Sequence, residues 1–253
     1  MTNTARRAFL AATALLAGRA EADLADLVAK SKPSVLPVGT FAVLNSPRFT
    51  FRGSGFVVGD GTMVVTNAHV MPEAGVVPAL QLAVLTSRDG GAPREARMAT
   101  LVRQDRVHDL VLLKLEGAPL PALSLADDAS VREGMDVALM GYPIGGVLGY
   151  STVTHRGILA SITSVALPAL TAQQLGDRTL ARLRDGPFPV YQLDATAYPG
   201  NSGGPLLDAR DGRVLGVINM VLVRNTRESA LSNPTGITYA IPAQFVRELL
   251  KGP

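Results

Sequence analysis

The amino-acid sequence predicts an all-β fold, a barrel or a sandwich. Three observations carry that expectation: many short apolar runs of β type, the 25 glycines and 17 prolines that punctuate them, and few stretches of helical period. At 253 residues, 47% hydrophobic and 18% charged, the chain is long and apolar enough to bury a substantial core rather than stay disordered. Tryptophan is absent and aromatics make up 5%, so that core must come mainly from Val, Leu, Ile and Ala.

Taken in order, Asp23 to Lys32 has a short amphipathic helical pattern stopped by Pro33. Strand-like sequence follows. Gly55-Phe56-Val57-Val58 and Met63-Val64-Val65-Thr66 flank Gly59-Asp60-Gly61-Thr62, which predicts a hairpin. Leu82 to Leu85, Met98 to Val102 and Leu110 to Leu115 complete a first series of strands. The second series comprises Asp136 to Met140, Ser151 to Thr154, Gly157 to Ala160, Val190 to Leu193, Gly204 to Leu207, Val214 to Ile218 and Ile237 to Ile241. Phe245, Val246, Leu249 and Leu250 make an apolar stripe that predicts a helix over Ala243 to Lys251, after Pro242. A weaker helical pattern spans Thr171 to Arg184, interrupted by Gly176.

The first 22 residues have the features of an export signal. Arg6-Arg7 precedes the largely apolar run Ala8 to Gly18, and Ala20-Glu21-Ala22 offers a cleavage site that would leave Asp23 first. Eleven residues are too few to cross a bilayer as a helix. Arg6-Arg7-Ala8-Phe9-Leu10 resembles the twin-arginine motif of bacterial export, with a plain secretory signal as the alternative. Residues 23–253 form the expected folded domain, exported to the periplasm or medium.

Net charge argues neither for nor against a nucleic-acid or membrane partner. Of the net +3, the signal segment holds +2, and no basic run with interleaved aromatics occurs, which excludes an obvious nucleic-acid surface. No later segment has 18 uninterrupted apolar residues, so stable membrane insertion is not expected. Zero cysteines exclude a disulfide, a thiolate nucleophile and a thiolate metal site.

Three segments carry chemistry. Gly200-Asn201-Ser202-Gly203-Gly204-Pro205 places a serine in a glycine-rich turn, where its hydroxyl can stand exposed and backbone N–H groups can face a developing oxyanion. Thr66-Asn67-Ala68-His69-Val70 supplies one of three histidines, just after an apolar strand. Asp109 opens the apolar run Leu110 to Leu115, and an acid there needs a partner such as an imidazole N–H. Taken singly, each has a plain structural alternative: a hairpin loop, a strand-end histidine, an exposed acid. Asp105 and His108 lie nearby and are expected to be solvated.

Together these segments resemble the trypsin/chymotrypsin superfamily, and more closely the bacterial HtrA/Deg-type proteases. The likeness runs from about Leu27 to Leu250 and includes Gly53-Ser54-Gly55-Phe56-Val57, Gly141-Tyr142-Pro143, Asp194-Ala195 and Gly236 to Pro242. The order His, Asp, Ser fits this superfamily and neither the α/β-hydrolases nor the subtilisins. The resemblance implies two six-stranded Greek-key β-barrels with a C-terminal helix. It implies a catalytic triad of His69, Asp109 and Ser202, an oxyanion hole from the Gly200 and Ser202 N–H groups, and a substrate pocket that includes Ala197 and Val221. The implied activity is endopeptidase cleavage of polypeptides, including unfolded proteins, with no metal or organic cofactor. A catalytically idle protein-binding or chaperone-like module on the same fold is the alternative, and an esterase is a third.

The sequence departs from the family pattern in three places. It runs to Pro253 without a stretch resembling the PDZ domain usual in HtrA-type proteins. Asn201 stands where digestive zymogens hold the acid that pairs with a new N-terminus. Val165 to Pro189 does not resemble the family's activation loop. Specificity is expected to be aliphatic: Thr196 lies six residues before Ser202, where trypsin-like enzymes place an acid, and Ala197, Val217 and Val221 offer no charge.

Overall fold

Two barrels are built from the same strand order. The structure, a computed structural model, describes residues 23–72, 81–87, 95–143, 145, 149–164, 187–220 and 236–252. In the first barrel β1 (Val35–Phe41), β2 (Phe49–Val58), β3 (Met63–Asn67), β4 (Gln81–Thr86), β5 (Glu95–Asp105) and β6 (Leu110–Leu115) close in the order β1-β2-β3-β6-β5-β4. The second repeats it with β7 (Asp136–Gly141), β8 (Val153–Ser164), β9 (Pro189–Asp194), β10 (Pro205–Asp208), β11 (Val214–Ile218) and β12 (Ile237–Pro242), closing as β7-β8-β9-β12-β11-β10. Every pairing between these strands is antiparallel.

Strand alternation explains why the sequence is so apolar. On β6, Val111, Leu113 and Leu115 fill the first barrel, while Leu110 and Leu112 face the second. On β7, Val137 and Leu139 fill the second barrel, while Ala138 and Met140 join Leu110 and Leu112 in the shared core. A strand buried on both faces reads as a continuous hydrophobic run, which is the pattern of Leu110-Val111-Leu112-Leu113.

Among the described residues, two α-helices cover this assembly. Helix α1 (Leu24–Ser31) is capped by Asp23, whose carboxylate accepts the Ala25 N–H at 3.2 Å, and Leu27 joins the shared core. Helix α2 (Ala243–Lys251) buries Phe245, Val246 and Leu249 against both barrels. Arg103 of β5 ties it down, donating from Nη1 to the Leu249 and Leu250 carbonyls at 3.0 Å each. Among the described residues no helix is long and apolar enough to cross a membrane.

The expected hairpin, both helices and the expected strand runs are present, with two differences: β1 (Val35–Phe41) falls where no strand was named, and two expected strands are one. Ser151 to Thr154 and Gly157 to Ala160 were expected as separate strands, but a single strand, β8, begins at Val153 and continues without a break through Gly157 to Ala160. Gly157 is not a turn residue there. It pairs with Val137, and a Cβ at its position would lie 2.2 Å from the Asp194 carbonyl oxygen, so the glycine permits a close backbone approach. The helical pattern over Thr171 to Arg184 lies outside the described residues.

Candidate active site

His69 sits at the end of β3 on a single 3₁₀ turn, Ala68–Val70. Val70 is buried in the first barrel and anchors that turn. Arg52 of β2 holds its far side, donating from Nε to the Val70 carbonyl at 2.6 Å and from Nη2 to that of Met71 at 3.0 Å. The imidazole is thus presented on a short segment fixed at both ends.

Asp109 approaches the same turn from β6. Its φ of 56° is left-handed, which costs a non-glycine residue about 1–2 kcal/mol and requires compensation. The compensation is a set of hydrogen bonds. Its carbonyl accepts the Ala68 N–H at 2.9 Å and Asn67 Nδ2 at 3.1 Å. Its Oδ1 accepts the His69 N–H at 2.9 Å, and its Oδ2 lies 2.5 Å from His69 Nδ1. Asn219, immediately after β11, donates from Nδ2 to the same Oδ2 at 2.8 Å. Hydrogen bonds to a charged acceptor are worth roughly 1.5–3 kcal/mol each, so together they outweigh the backbone cost. With Nδ1 engaged by a carboxylate, the ring's Nε2 is left as the basic nitrogen.

Ser202 comes from the second barrel, in the turn before β10. Barrel one holds that turn through Ser54. The Ser54 N–H donates to the Ser202 carbonyl at 2.9 Å, and its hydroxyl donates to the Gly200 carbonyl at 2.7 Å while accepting the Tyr142 N–H at 3.0 Å. Glycine is required at 203, where φ is 86° and a Cβ would meet the Ser54 carbonyl oxygen at 2.2 Å. Among the described residues, neither the Gly200 nor the Ser202 N–H has an acceptor, which leaves both donors free for an anion. The Ser202 hydroxyl accepts the Met220 N–H at 3.3 Å and, among the described residues, makes no hydrogen bond to the His69 ring.

The other expected positions fall as follows. Ala197 is buried in the second barrel's core, in a cluster against which Met220 packs. Val217 is fully buried in the shared core. Val221 lies outside the described residues, as does most of Val165 to Pro189. Asn201 is fully buried, and neither atom of its amide group has a partner among the described residues. The expectation that Asp105 and His108 are solvated is overturned. Their side chains form a pair at 2.6 Å, and the His108 ring packs on Phe245 of α2.

Sequence reasoning gave no role to Ser54, Asn219, Met220 or this second His–Asp pair. Ser54 did carry a signal: a hydroxyl in a strand otherwise bound for the core must find a hydrogen-bond partner. Among the described residues no cluster of three or more His, Asp or Glu side chains could hold a metal ion.

Paired six-stranded barrels of this topology, with residues of both meeting at the seam, are the chymotrypsin-like fold. The model of the trypsin-like peptidase domain matches residues 53–217, and the chain belongs to that family. A probable periplasmic serine endoprotease of DegP-like type from Halomonas elongata is 33% identical over 197 residues, covering 78% of this chain and 34% of that protein. Human serine protease HTRA3 is 31% identical over 233 residues, covering 90% of this chain and 44% of that protein. The chain therefore spans less than half the length of these two relatives. The solved structure of the HtrA-type protease AlgW with decapeptide shares the fold, with a TM-score of 0.65 and 24% identity over 90% of this chain and 66% of that one.

Proposed function

We propose that the chain is a serine endopeptidase in which Ser202 attacks the peptide carbonyl, His69 moves the proton and Asp109 orients the imidazole. The observation that carries this reading is the double engagement of His69 by Asp109, through Nδ1 and the backbone N–H, beside a serine turn tethered across the seam by Ser54. The Ser202 hydroxyl turns from Met220 toward His69 Nε2 as substrate enters, a tightening common to serine sites without ligand. Attack forms a C–O bond, and the hydroxyl proton passes to His69 Nε2. The free N–H groups of Gly200 and Ser202 receive the oxyanion. His69 then gives the proton to the departing amine, and water hydrolyses the acyl-enzyme by the same route in reverse.

Polypeptides are the substrates in this reading, as the AlgW structure's bound decapeptide supports for that protein. The pocket formed with Ala197 and Val221 accepts small or medium aliphatic side chains. Residues 1–22 direct export to the periplasm or medium, consistent with the periplasmic name of the Halomonas relative.

Labelling with an active-serine phosphonate, followed by peptide mapping, tests the assignment. Label is expected on Ser202, and Ser202→Ala or His69→Ala lowers turnover by about a million-fold, as in comparable triad knockouts. Proteolysis retained by purified Ser202→Ala would overturn it. Cleavage of a peptide library is expected after Val, Ala or Leu; a profile dominated by Arg or Glu overturns the pocket assignment. Exported protein is expected to begin at Asp23, and unaffected export of the Arg6→Lys, Arg7→Lys variant would exclude the twin-arginine route.

A further inference from the structure

The turn that delivers Asp109 is built around a second histidine–aspartate pair. Asp105, the last residue of β5, accepts the Val107 and His108 N–H groups at Oδ1, both at 3.0 Å. Its Oδ2 lies 2.6 Å from His108 Nδ1. Three hydrogen bonds accepted by one carboxylate therefore close the four residues between β5 and β6 into a rigid loop. The His108 ring stacks on Phe245 of α2, with centroids 3.6 Å apart and planes at 17°, and meets the edge of Phe188 at 4.8 Å and 80°. Phe188 and Phe245 in turn meet edge to face at 5.9 Å. Phe188 lies just before β9 in the second barrel, and α2 is clamped to the first barrel by Arg103.

The next residue is Asp109, in its left-handed conformation. From the front, its backbone is held by Ala68 and Asn67. On its N-terminal side the chain is the turn closed by His108. A residue in a sparsely populated conformation keeps it when contacts on both sides over-determine it. We infer that His108 is a positioning residue for Asp109, fixing the carboxylate against His69 through the Asp105 bond and the ring stack on Phe245 and Phe188. Burial alone pushes the Asp105 carboxyl up, but the bonds from His108 outweigh it and hold the group below its ordinary value, consistent with an ionised acceptor at neutral pH.

The inference rests on the role proposed for Asp109, and its test separates the two. Turnover is measured per active site titrated by phosphonate, so unfolded protein does not count. His108→Ala is expected to lower kcat by roughly ten- to a hundredfold with KM unchanged, the cost of a small misplacement near the chemistry. His108→Asn keeps a donor for Asp105 and is expected to recover most of that loss, while His108→Phe, which keeps only the stack, recovers little. Proton NMR provides a second readout. The short His69 Nδ1–Asp109 Oδ2 contact gives a far-downfield proton signal, expected to broaden or shift in His108→Ala and return in His108→Asn. Should His108→Ala fail to fold, Phe245→Leu loosens the stack while leaving the turn's bonds, and is expected to shift the same signal. Wild-type kcat and an unmoved signal in folded His108→Ala would overturn the inference, as would equal activities of the Asn and Phe variants. Absence of phosphonate label on Ser202 would instead sink the triad assignment, and the NMR signal would still decide the positioning.

Discussion

Asn219 Nδ2 donates a 2.8 Å hydrogen bond to Asp109 Oδ2, joining the second barrel to the acid of the first. Both residues are buried, and the same carboxylate oxygen lies 2.5 Å from His69 Nδ1. The acid is therefore oriented by groups from both barrels, and its position depends on their registry as well as on β6.

Loss of that donor should weaken catalysis without removing the nucleophile. A hydrogen bond to a charged group is worth roughly 1.5–3 kcal/mol, so Asn219→Ala should lower kcat by about ten- to a hundredfold. Asn219→Ser, which retains a donor, should lie between it and wild type. Asn219→Asp should be worse than Ala, because a second carboxylate would face Asp109. Steady-state kinetics on the three variants test the order; an Ala variant as active as wild type would remove Asn219 from the site.

The left-handed backbone of Asp109 makes a second, separable expectation. Asparagine tolerates this conformation and keeps the side-chain shape, so Asp109→Asn should fold with a Tm close to wild type. Its turnover should fall by roughly ten-thousandfold, since the amide cannot hold the imidazole tautomer or balance the imidazolium. Asp109→Val should lose stability as well, because a β-branched residue resists φ of 56°. Equal melting temperatures for the Asn and Val variants would contradict the conformational part.

Legibility followed the range of each constraint. Gly200 to Pro205 and Asp109 to Leu115 could be recognised because their demands are local: glycines for a turn, an acid at the mouth of a buried strand. Asn219 and Ser54 could not be assigned, since their partners lie 110 and 146 residues away and only barrel closure brings them together. His108 was expected to be solvated, because its packing partner Phe245 belongs to a helix far along the chain. The break expected between Thr154 and Gly157 failed for a related reason. A glycine in a strand can mark a turn or a close approach, and the Asp194 carbonyl that decides between them is distant in sequence.

Gly203 packs closely against the first barrel at the serine turn. Its φ is 86°, and a Cβ there would lie 2.2 Å from the Ser54 carbonyl oxygen and 2.3 Å from Thr66 Oγ1. Neither is the free end of a flexible side chain, for Thr66 Oγ1 itself donates to that carbonyl at 2.7 Å. Gly203→Ala should therefore cost roughly 3 kcal/mol or more, combining backbone strain with overpacking. Denaturant unfolding measures this, and a loss below about 1 kcal/mol would show that the turn can shift freely.

His155 should make stability depend on pH between neutrality and mild acid. It lies on β8 opposite Leu139, its ring 5.6 Å from that of Tyr198, whose carbonyl accepts the Asn201 N–H beside Ser202. Its Nε2 is buried without a partner among the described residues. Burial holds its pKa below the ordinary 6.5, because the charged ring would lose hydration. The unfolded chain then binds more protons than the folded one as pH drops below 6.5, so stability falls through that window and levels off beneath the depressed folded value. Asp105 acts in a different window. Its lowered pKa adds stability that is complete above the ordinary 3.8 and is lost only as pH falls through its folded value. Melting temperatures of wild type and His155→Phe between pH 5 and 7.5 should therefore diverge on the acid side, with the Phe variant flatter. Parallel curves would show that His155 accepts its proton in the folded protein as readily as in the unfolded chain.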